Sequence, residues 1–100
     1  MIDRFKKFLS EPPNRMGHDV LESWAYTVVV ILPSVMREWY DPTLRDFDSK
    51  DGEYYSTAYL KLGSLKAFKR YCPNANEILK ALKLLTAFFE NETGKEVRSV

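Results

Sequence analysis

Apolar and polar residues recur at helical spacing in four segments of this chain, separated by turns rich in proline, glycine, asparagine and aspartate. The breaks between the segments fall at residues 10–18, 40–52 and 72–76. Proline has no amide proton and favours extended backbone in the residue before it, so helices commonly end near such positions. The pattern predicts helices at about residues 2–10, 20–40, 52–71 and 75–91.

The second segment is the most apolar part of the chain, with the run WAYTVVVILPSVMREWY from Trp24 to Tyr40. A half-buried strand requires alternating apolar and polar residues, and TVVVIL does not alternate. A membrane span requires about 20 apolar residues, and Glu22 and Arg37 cut this run short. The segment is therefore predicted to be an amphipathic helix, with Asp19 and Glu22 at capping-box spacing near its start.

On a helical wheel this segment has an apolar half and a polar half. The apolar half consists of Val20, Leu21, Trp24, Ala25, Val28, Val29, Ile31, Leu32, Val35, Met36 and Trp39. The polar half includes Tyr26, Thr27 and Pro33, and Val30 falls on it as an exception. Because the carbonyl that Pro33 frees faces water, the helix is expected to kink there rather than end. Its wide apolar half makes it the predicted central element of a bundle.

The remaining segments differ in how clearly they predict helix. The last one has an apolar face and begins with Asn74 and Glu77 at capping-box spacing. The third has an apolar stripe that continues in register through Gly63, which favours one helix from about 52 to 71. The alternative is a β-hairpin around residues 43–62, which would make the fold α+β. The short N-terminal helix needs a surface to dock on, because isolated short helices are marginal in water.

The predicted architecture is an all-α bundle of three long helices and a short N-terminal one, in a single domain over residues 1–100. Residues 94–100 are expected to fray after Gly94. The composition, 45% apolar and 29% charged, is typical of a globular domain. A single cysteine indicates a reducing compartment, and the N-terminus lacks the apolar core of a signal peptide. The chain is therefore expected to be cytoplasmic, without a transmembrane span.

The sequence offers few groups for catalysis or metal binding. His18 and Cys72 are the one histidine and the one cysteine, far apart in sequence, and they cannot furnish a typical zinc site. Cys72 is predicted to be buried at a helix end, and His18 to lie in a solvated turn. The acidic stretch before Gly52 does not match a calcium loop, because Lys50 stands at a ligand position. No metal, cofactor or enzymatic activity is expected.

The charge distribution suggests one candidate site, although the net charge is only +1. Residues 38–53 are mainly acidic and residues 61–89 mainly basic. If the third and fourth helices form a hairpin, one group of basic residues is predicted to form a patch for an anionic partner or nucleic acid. These residues are Lys66, Lys69, Arg70, Lys80 and Lys83. The alternative is a solvated face that keeps the protein soluble.

Aromatic residues on both sides of the acidic stretch form a second candidate site. They are Trp39, Tyr40, Tyr54 and Tyr55. Tyrosine and tryptophan are common anchors in protein interfaces, so these side chains are a candidate partner surface. Tyrosines at helical spacing are equally typical of the ends of a bundle, and the core interpretation is favoured.

Two functions are therefore expected from the sequence. The first is a small non-enzymatic binding or regulatory protein that acts through helix surfaces on another protein or on a second copy, as a homodimer. Its size suits a phage or mobile-element accessory protein. The alternative is a nucleic-acid-associated protein that uses the Lys/Arg patch within residues 61–83.

Overall fold

The computed structural model describes residues 2–47 and 50–93. Within these ranges the chain forms five helices and no strand, and helix accounts for 78% of the protein. The helices are α1 (Ile2–Ser10), α2 (His18–Trp39), α3 (Gly52–Ser64), α4 (Lys66–Tyr71) and α5 (Ala75–Thr93). The all-α prediction is confirmed. The alternative hairpin around residues 43–62 is wrong, because residues 52–62 are helical. The predicted frayed tail lies outside the described residues.

A side-chain cap is present at the start of α3 but not at the start of α2. Asp51 caps α3, since its carboxylate accepts the Tyr54 N–H at 3.0 Å. Asn74 immediately precedes α5, as predicted, and its carbonyl accepts the Ile78 N–H at 2.9 Å. The predicted cap at Asp19 is wrong: α2 begins at His18, with extended Gly17 before it and no side-chain cap. Asp19 instead lies in the first helical turn, where a negative charge is favourable.

The predicted helix over residues 52–71 is broken at Leu65, which has extended backbone with φ −86° and ψ 111°. The Ser64 hydroxyl donates to the Lys61 carbonyl at 2.8 Å, and such side-chain bonds compete with the helical ladder. Gly63 beside it has the weak helix preference of glycine. The change of direction brings Phe68 of α4 into the core, where its ring meets Trp39 edge-on at 5.6 Å between centroids.

The core lies between α3 and α5, which pack antiparallel, with α1 and α2 completing it. The antiparallel arrangement follows from two contacts: Tyr55 stacks on Phe89 at 5.6 Å, while Gly63 faces Leu79 at the other end. α1 docks through its apolar side, where Phe5 meets Phe88 edge-on at 5.6 Å between centroids. The docking surface that the N-terminal helix needs is thus provided by the chain itself.

The loop between α2 and α3 also contributes to the core. Leu44 and Phe47 are only 3% and 8% exposed, so the acidic segment is anchored by apolar side chains rather than fully solvated. The hydroxyl of Tyr55 donates to the Phe47 carbonyl at 2.6 Å and ties this loop to α3. Neither anchor was predicted from the sequence.

α2 buries a narrower surface than its composition suggests. The buried stripe consists of Leu21, Ala25, Val28, Leu32 and Met36, spaced three or four residues apart. Thr27–Ile31 form a π-helical turn, in which the Leu32 N–H donates to the Thr27 carbonyl five residues earlier. Pro33 lies just beyond this turn. Its ring would clash with the Val29 carbonyl in a regular α-helix, and the wider turn provides room.

Two side chains within the π-helical turn depart from the helical wheel. The positions after the turn follow it, since Leu32 and Met36 are buried as predicted. Thr27, predicted on the polar half, is 7% exposed, and its hydroxyl donates to the Ser23 carbonyl at 3.1 Å. Val29, predicted on the apolar half, is 51% exposed. The predictions for Thr27 and Val29 were therefore wrong.

Candidate functional site

The outward side of α2 carries a continuous exposed strip, which we name the α2 ridge. It consists of Asp19, Ser23, Tyr26, Val30, Ser34 and Arg37. The residues are spaced three or four positions apart along the 22-residue helix, and each is exposed. They lie opposite the buried stripe. The ridge is therefore a single helical face with an acid at one end, a base at the other and apolar side chains in the middle.

The apolar exposure on this helix is concentrated near the π-helical turn. Tyr26 is 60% exposed, Val29 51% and Val30 50%, and Val20 nearer the N-terminus is 51% exposed. Side chains of this size on a helix are usually buried when the domain offers a surface. Val29 and Val30 are both exposed here, so this surface is left uncovered by the rest of the described chain.

Two hollows flank the ridge. One, of about 320 Å³, lies between the first half of α2 and the start of α5, and Val20, Trp24 and Glu77 help to line it. The other, of about 340 Å³, lies against α1 and the loop before α3, and Val29, Pro33 and Ile2 help to line it. The ridge consequently projects between two concave surfaces, a shape that suits packing against another helix.

Lys80 of α5 crosses toward α2, where its ammonium lies 5.3 Å from the centre of the Trp24 ring. This cation–π contact joins the two helices across the first hollow. Glu77, one turn earlier on α5, lines the same hollow. The sequence had placed Trp24 on the apolar face and Lys80 in the basic patch, and nothing in their spacing indicated that they meet.

The predicted basic patch is divided between α4 and the first half of α5, and all five of its residues are exposed. Lys66, Lys69 and Arg70 share one face of α4. Arg70 is held over the Tyr71 ring at 5.5 Å, and Lys80 is engaged with Trp24. Lys69 lines a separate hollow of about 250 Å³ at the start of α5. Nucleic-acid binding by these residues stays a prediction.

The predicted aromatic surface is largely internal. Tyr55 is fully buried, so it can contribute no surface to a partner. Trp39, Tyr40 and Tyr54 are partly buried and pack against the core. Tyr54 meets Tyr40 edge-on at 5.6 Å and Tyr55 at 5.4 Å between centroids. These rings fill the end of the bundle, in agreement with the core interpretation that the sequence favours.

A polar cluster fixes the loop end beside these rings. The Asp41 carboxylate accepts the Thr43 hydroxyl at 2.7 Å and the Tyr54 hydroxyl at 3.1 Å, and these bonds lower the pKa of Asp41. Lys50 lies 5.2 Å from the centre of the Tyr54 ring. Partial burial and the bond to Asp41 raise the pKa of Tyr54, and burial raises that of Tyr40. These hydrogen bonds hold the cluster together, and the bond between Asp41 and Tyr54 anchors the loop to α3.

The other chemical groups lie where the sequence placed them. Cys72 follows the last residue of α4 and is 8% exposed, as predicted for a buried residue at a helix end. His18 is exposed, as predicted, but it is the first residue of α2 and not part of a turn. Within residues 2–47 and 50–93, no cluster of three or more histidine, cysteine, aspartate or glutamate side chains is arranged to hold a metal ion.

α2 is also long and apolar enough to cross a membrane by length and composition, and one third of its most apolar window is buried in the bundle. This is weak evidence for a span, because core helices of soluble proteins meet the same criteria. The sequence prediction that no span exists stays a prediction.

No protein-family profile, no curated protein and no solved structure matches this chain.

Proposed function

We propose that this protein is a small binding protein that acts by docking the outward side of α2 on another polypeptide chain. The observation that carries the proposal is the concentration of exposed apolar side chains on this helix. Four of the six large hydrophobic residues that are exposed in the described part of the chain lie on α2. They are Val20, Tyr26, Val29 and Val30.

Such clustering has a physical cost in the free protein. Exposed apolar area is unfavourable by about 25 cal/mol for each Å² that a partner could cover, so a cluster on one element favours association. Scattered apolar residues are normal on any surface, whereas grouped ones typically mark interaction sites. The other two exposed residues, Leu60 and Tyr71, lie on different helices, α3 and α4.

The surface is suited to recognition because the helix that presents it is rigidly held. Leu21, Val28 and Leu32 anchor the opposite face in the core. A partner therefore meets a preformed surface and does not have to order it, which reduces the entropic cost of binding. Tyr26 adds a side chain of the type enriched at the centres of protein interfaces. The proposal retains the non-enzymatic, binding role that the sequence suggests.

A photocrosslinking amino acid at position 30 tests this function in the cells that produce the protein. We expect a discrete protein adduct from position 30, which becomes weak when Val29→Glu places a charge in the same patch. The control carries the crosslinker at position 60, because Leu60 is similarly exposed, at 46%, on a different helix.

Two results would overturn the proposal. One is the absence of any protein adduct from position 30, including the case in which lipid alone is labelled. The other is the same set of adducts from positions 30 and 60, which would indicate random contacts. Both variants are checked for the helical circular dichroism of the parent, so that loss of an adduct cannot reflect unfolding.

A further inference from the structure

We propose that the partner of the α2 ridge is a second copy of this chain, paired antiparallel to the first about a two-fold axis that crosses the helix at the level of Val28. This inference rests on the proposed function, since it names the polypeptide that docks on α2. It is carried by a symmetry in the order of side chains along the ridge.

The ridge residues form three pairs at equal or nearly equal distances on either side of this level. Tyr26 and Val30 are each two residues from Val28, and Asp19 and Arg37 are each nine residues from it. Ser23 and Ser34 are five and six residues away. In a two-fold antiparallel helix pair, residues equidistant from the axis face each other. Each copy therefore places Tyr26 against Val30 of the other and a serine against a serine.

The charges of the ridge are complementary under the same operation. Nine residues correspond to about 13 Å along a helix, so Asp19 of one copy lies at the same height as Arg37 of the other. The pairing forms two opposite-charge contacts, one at each end. A parallel pair would instead place Asp19 against Asp19 and Arg37 against Arg37, which is repulsive. The charge order thus selects the antiparallel arrangement.

The two charged residues are available for this contact. Neither Asp19 nor Arg37 forms an ion pair with any residue in the described ranges, whereas Arg4 pairs with Glu92 and Lys6 with Glu22 there. Both are exposed, and they occupy opposite ends of one rigid helix. Their separation is thus set by the helix itself, which makes the register of the pair specific.

The middle of the ridge provides the apolar contact. Tyr26 and Val30 are at least half exposed, with Val29 beside them, and the serines are small enough to let two helices approach closely. One helix face is smaller than the about 800 Å² that each partner buries in a standard stable interface. We therefore expect a reversible dimer with a Kd in the micromolar range rather than an obligate one.

The test begins with the mass of the purified full-length chain. Sedimentation equilibrium at concentrations from about 10 to 500 µM spans a micromolar Kd. We expect the mass to rise with concentration from one chain to two. A mass of one chain at every concentration would overturn the inference, and so would a mass that continues to rise beyond two chains, because a two-fold pair is closed.

Charge reversal then tests the register. In Asp19→Arg or in Arg37→Asp, both end contacts become repulsive, and we expect the Kd to rise about tenfold or more at low salt. The combined variant Asp19→Arg with Arg37→Asp restores opposite charges at both ends and should recover dimerisation. Failure of the combined variant to recover, or equal dimerisation by either single variant and the parent, would overturn the pairing.

Matched controls separate this effect from a general change in charge. Glu53→Arg reverses an acid at the second position of α3, as Asp19→Arg does in α2, and Arg70→Asp reverses a base in the last turn of α4. Both positions are exposed and lie off the ridge. We expect both controls to dimerise like the parent; a similar loss in the controls would overturn the assignment of the contact to α2.

The crosslinker at position 30 distinguishes the failure of this inference from that of the proposed function. An adduct with the mass of two copies of this chain supports both. An adduct that contains a different protein supports the binding function and overturns self-pairing. The absence of any protein adduct overturns both.

Discussion

Replacing Tyr55 by phenylalanine should lower the free energy of unfolding by about 1 kcal/mol, the net contribution of a typical intramolecular hydrogen bond. Tyr55 is completely buried, and its hydroxyl donates to the Phe47 carbonyl at 2.6 Å. In Tyr55→Phe that carbonyl keeps the longer bond from the Lys50 N–H, at 3.4 Å, and loses the shorter one. The ring itself remains, so its stacking on Phe89 at 5.6 Å and its contact with Phe47 at 5.2 Å are retained.

The loss can be measured by urea unfolding followed by circular dichroism at a single protein concentration, because association would add to the apparent stability. For a domain of this size, each kcal/mol corresponds to about 4–8 °C in Tm. Tyr71→Phe is the control: Tyr71 is 66% exposed, and the ring over which Arg70 lies is kept. That substitution should change stability by less than about 0.5 kcal/mol.

The reasoning would be refuted if Tyr55→Phe and Tyr71→Phe unfolded at the same urea concentration with equal slopes. Equal stability would mean that the bond between α3 and the loop contributes nothing beyond ring packing. A changed slope would instead indicate that the surface exposed on unfolding differs, and the comparison of midpoints alone would then not decide the question.

The pH dependence and one glycine provide further predictions. Because the fold lowers the pKa of Asp41, this carboxylate contributes fully to the stability of the fold at pH values above the usual aspartate range, near pH 4. That contribution is lost as the pH falls below this range. Between about pH 5 and 2, Asp41→Asn should therefore lose less stability than the parent, and equal acid profiles would contradict this. The fold raises the pKa of Tyr54, so the Tyr54 hydroxyl contributes fully to stability below about pH 10, and this contribution is lost as the pH rises. Tyr54→Phe should therefore lose less stability than the parent at alkaline pH. An equal loss of stability in the two proteins would exclude Tyr54 as its origin. Gly63→Ala should stabilise the protein by about 0.4–1 kcal/mol in urea unfolding, because an added Cβ meets only the Leu79 side chain, at 4.0 Å; a lower stability would show that the break at Leu65 requires the glycine.

Local periodicity was sufficient to place the helices. The helices predicted at about 2–10 and 75–91 correspond to Ile2–Ser10 and Ala75–Thr93, because apolar spacing and the turns around proline and asparagine are local properties. The break at Leu65 was not predicted, because the apolar stripe of the third segment continues in register across it. The Ser64 hydroxyl bond that accompanies the break is visible only in the folded backbone.

For the candidate surfaces as well, the sequence identified the residue types but not their exposure. Composition identified aromatic and basic residues, but it could not separate Tyr55, which is fully buried, from Tyr26, which is 60% exposed. The contact between Lys80 and Trp24 joins helices that are far apart in sequence. No spacing within one helix predicts such a contact, since it depends on how α2 and α5 are placed.

The sequence by itself determined that this chain is helical and that α2 is its most apolar helix, because hydrophobic periodicity depends on near neighbours. Only the tertiary structure decided how much of the apolar half of α2 is covered, because coverage depends on where the other helices pack: Val20 and Val29 belong to that half and are each 51% exposed. A regular wheel places the buried stripe and the ridge on opposite sides of α2, and the structure departs from it at Thr27, which is buried, and at Val29, which is exposed. The order of charges from Asp19 to Arg37 was present in the sequence throughout, but it became a ridge once the fold had buried the opposite face.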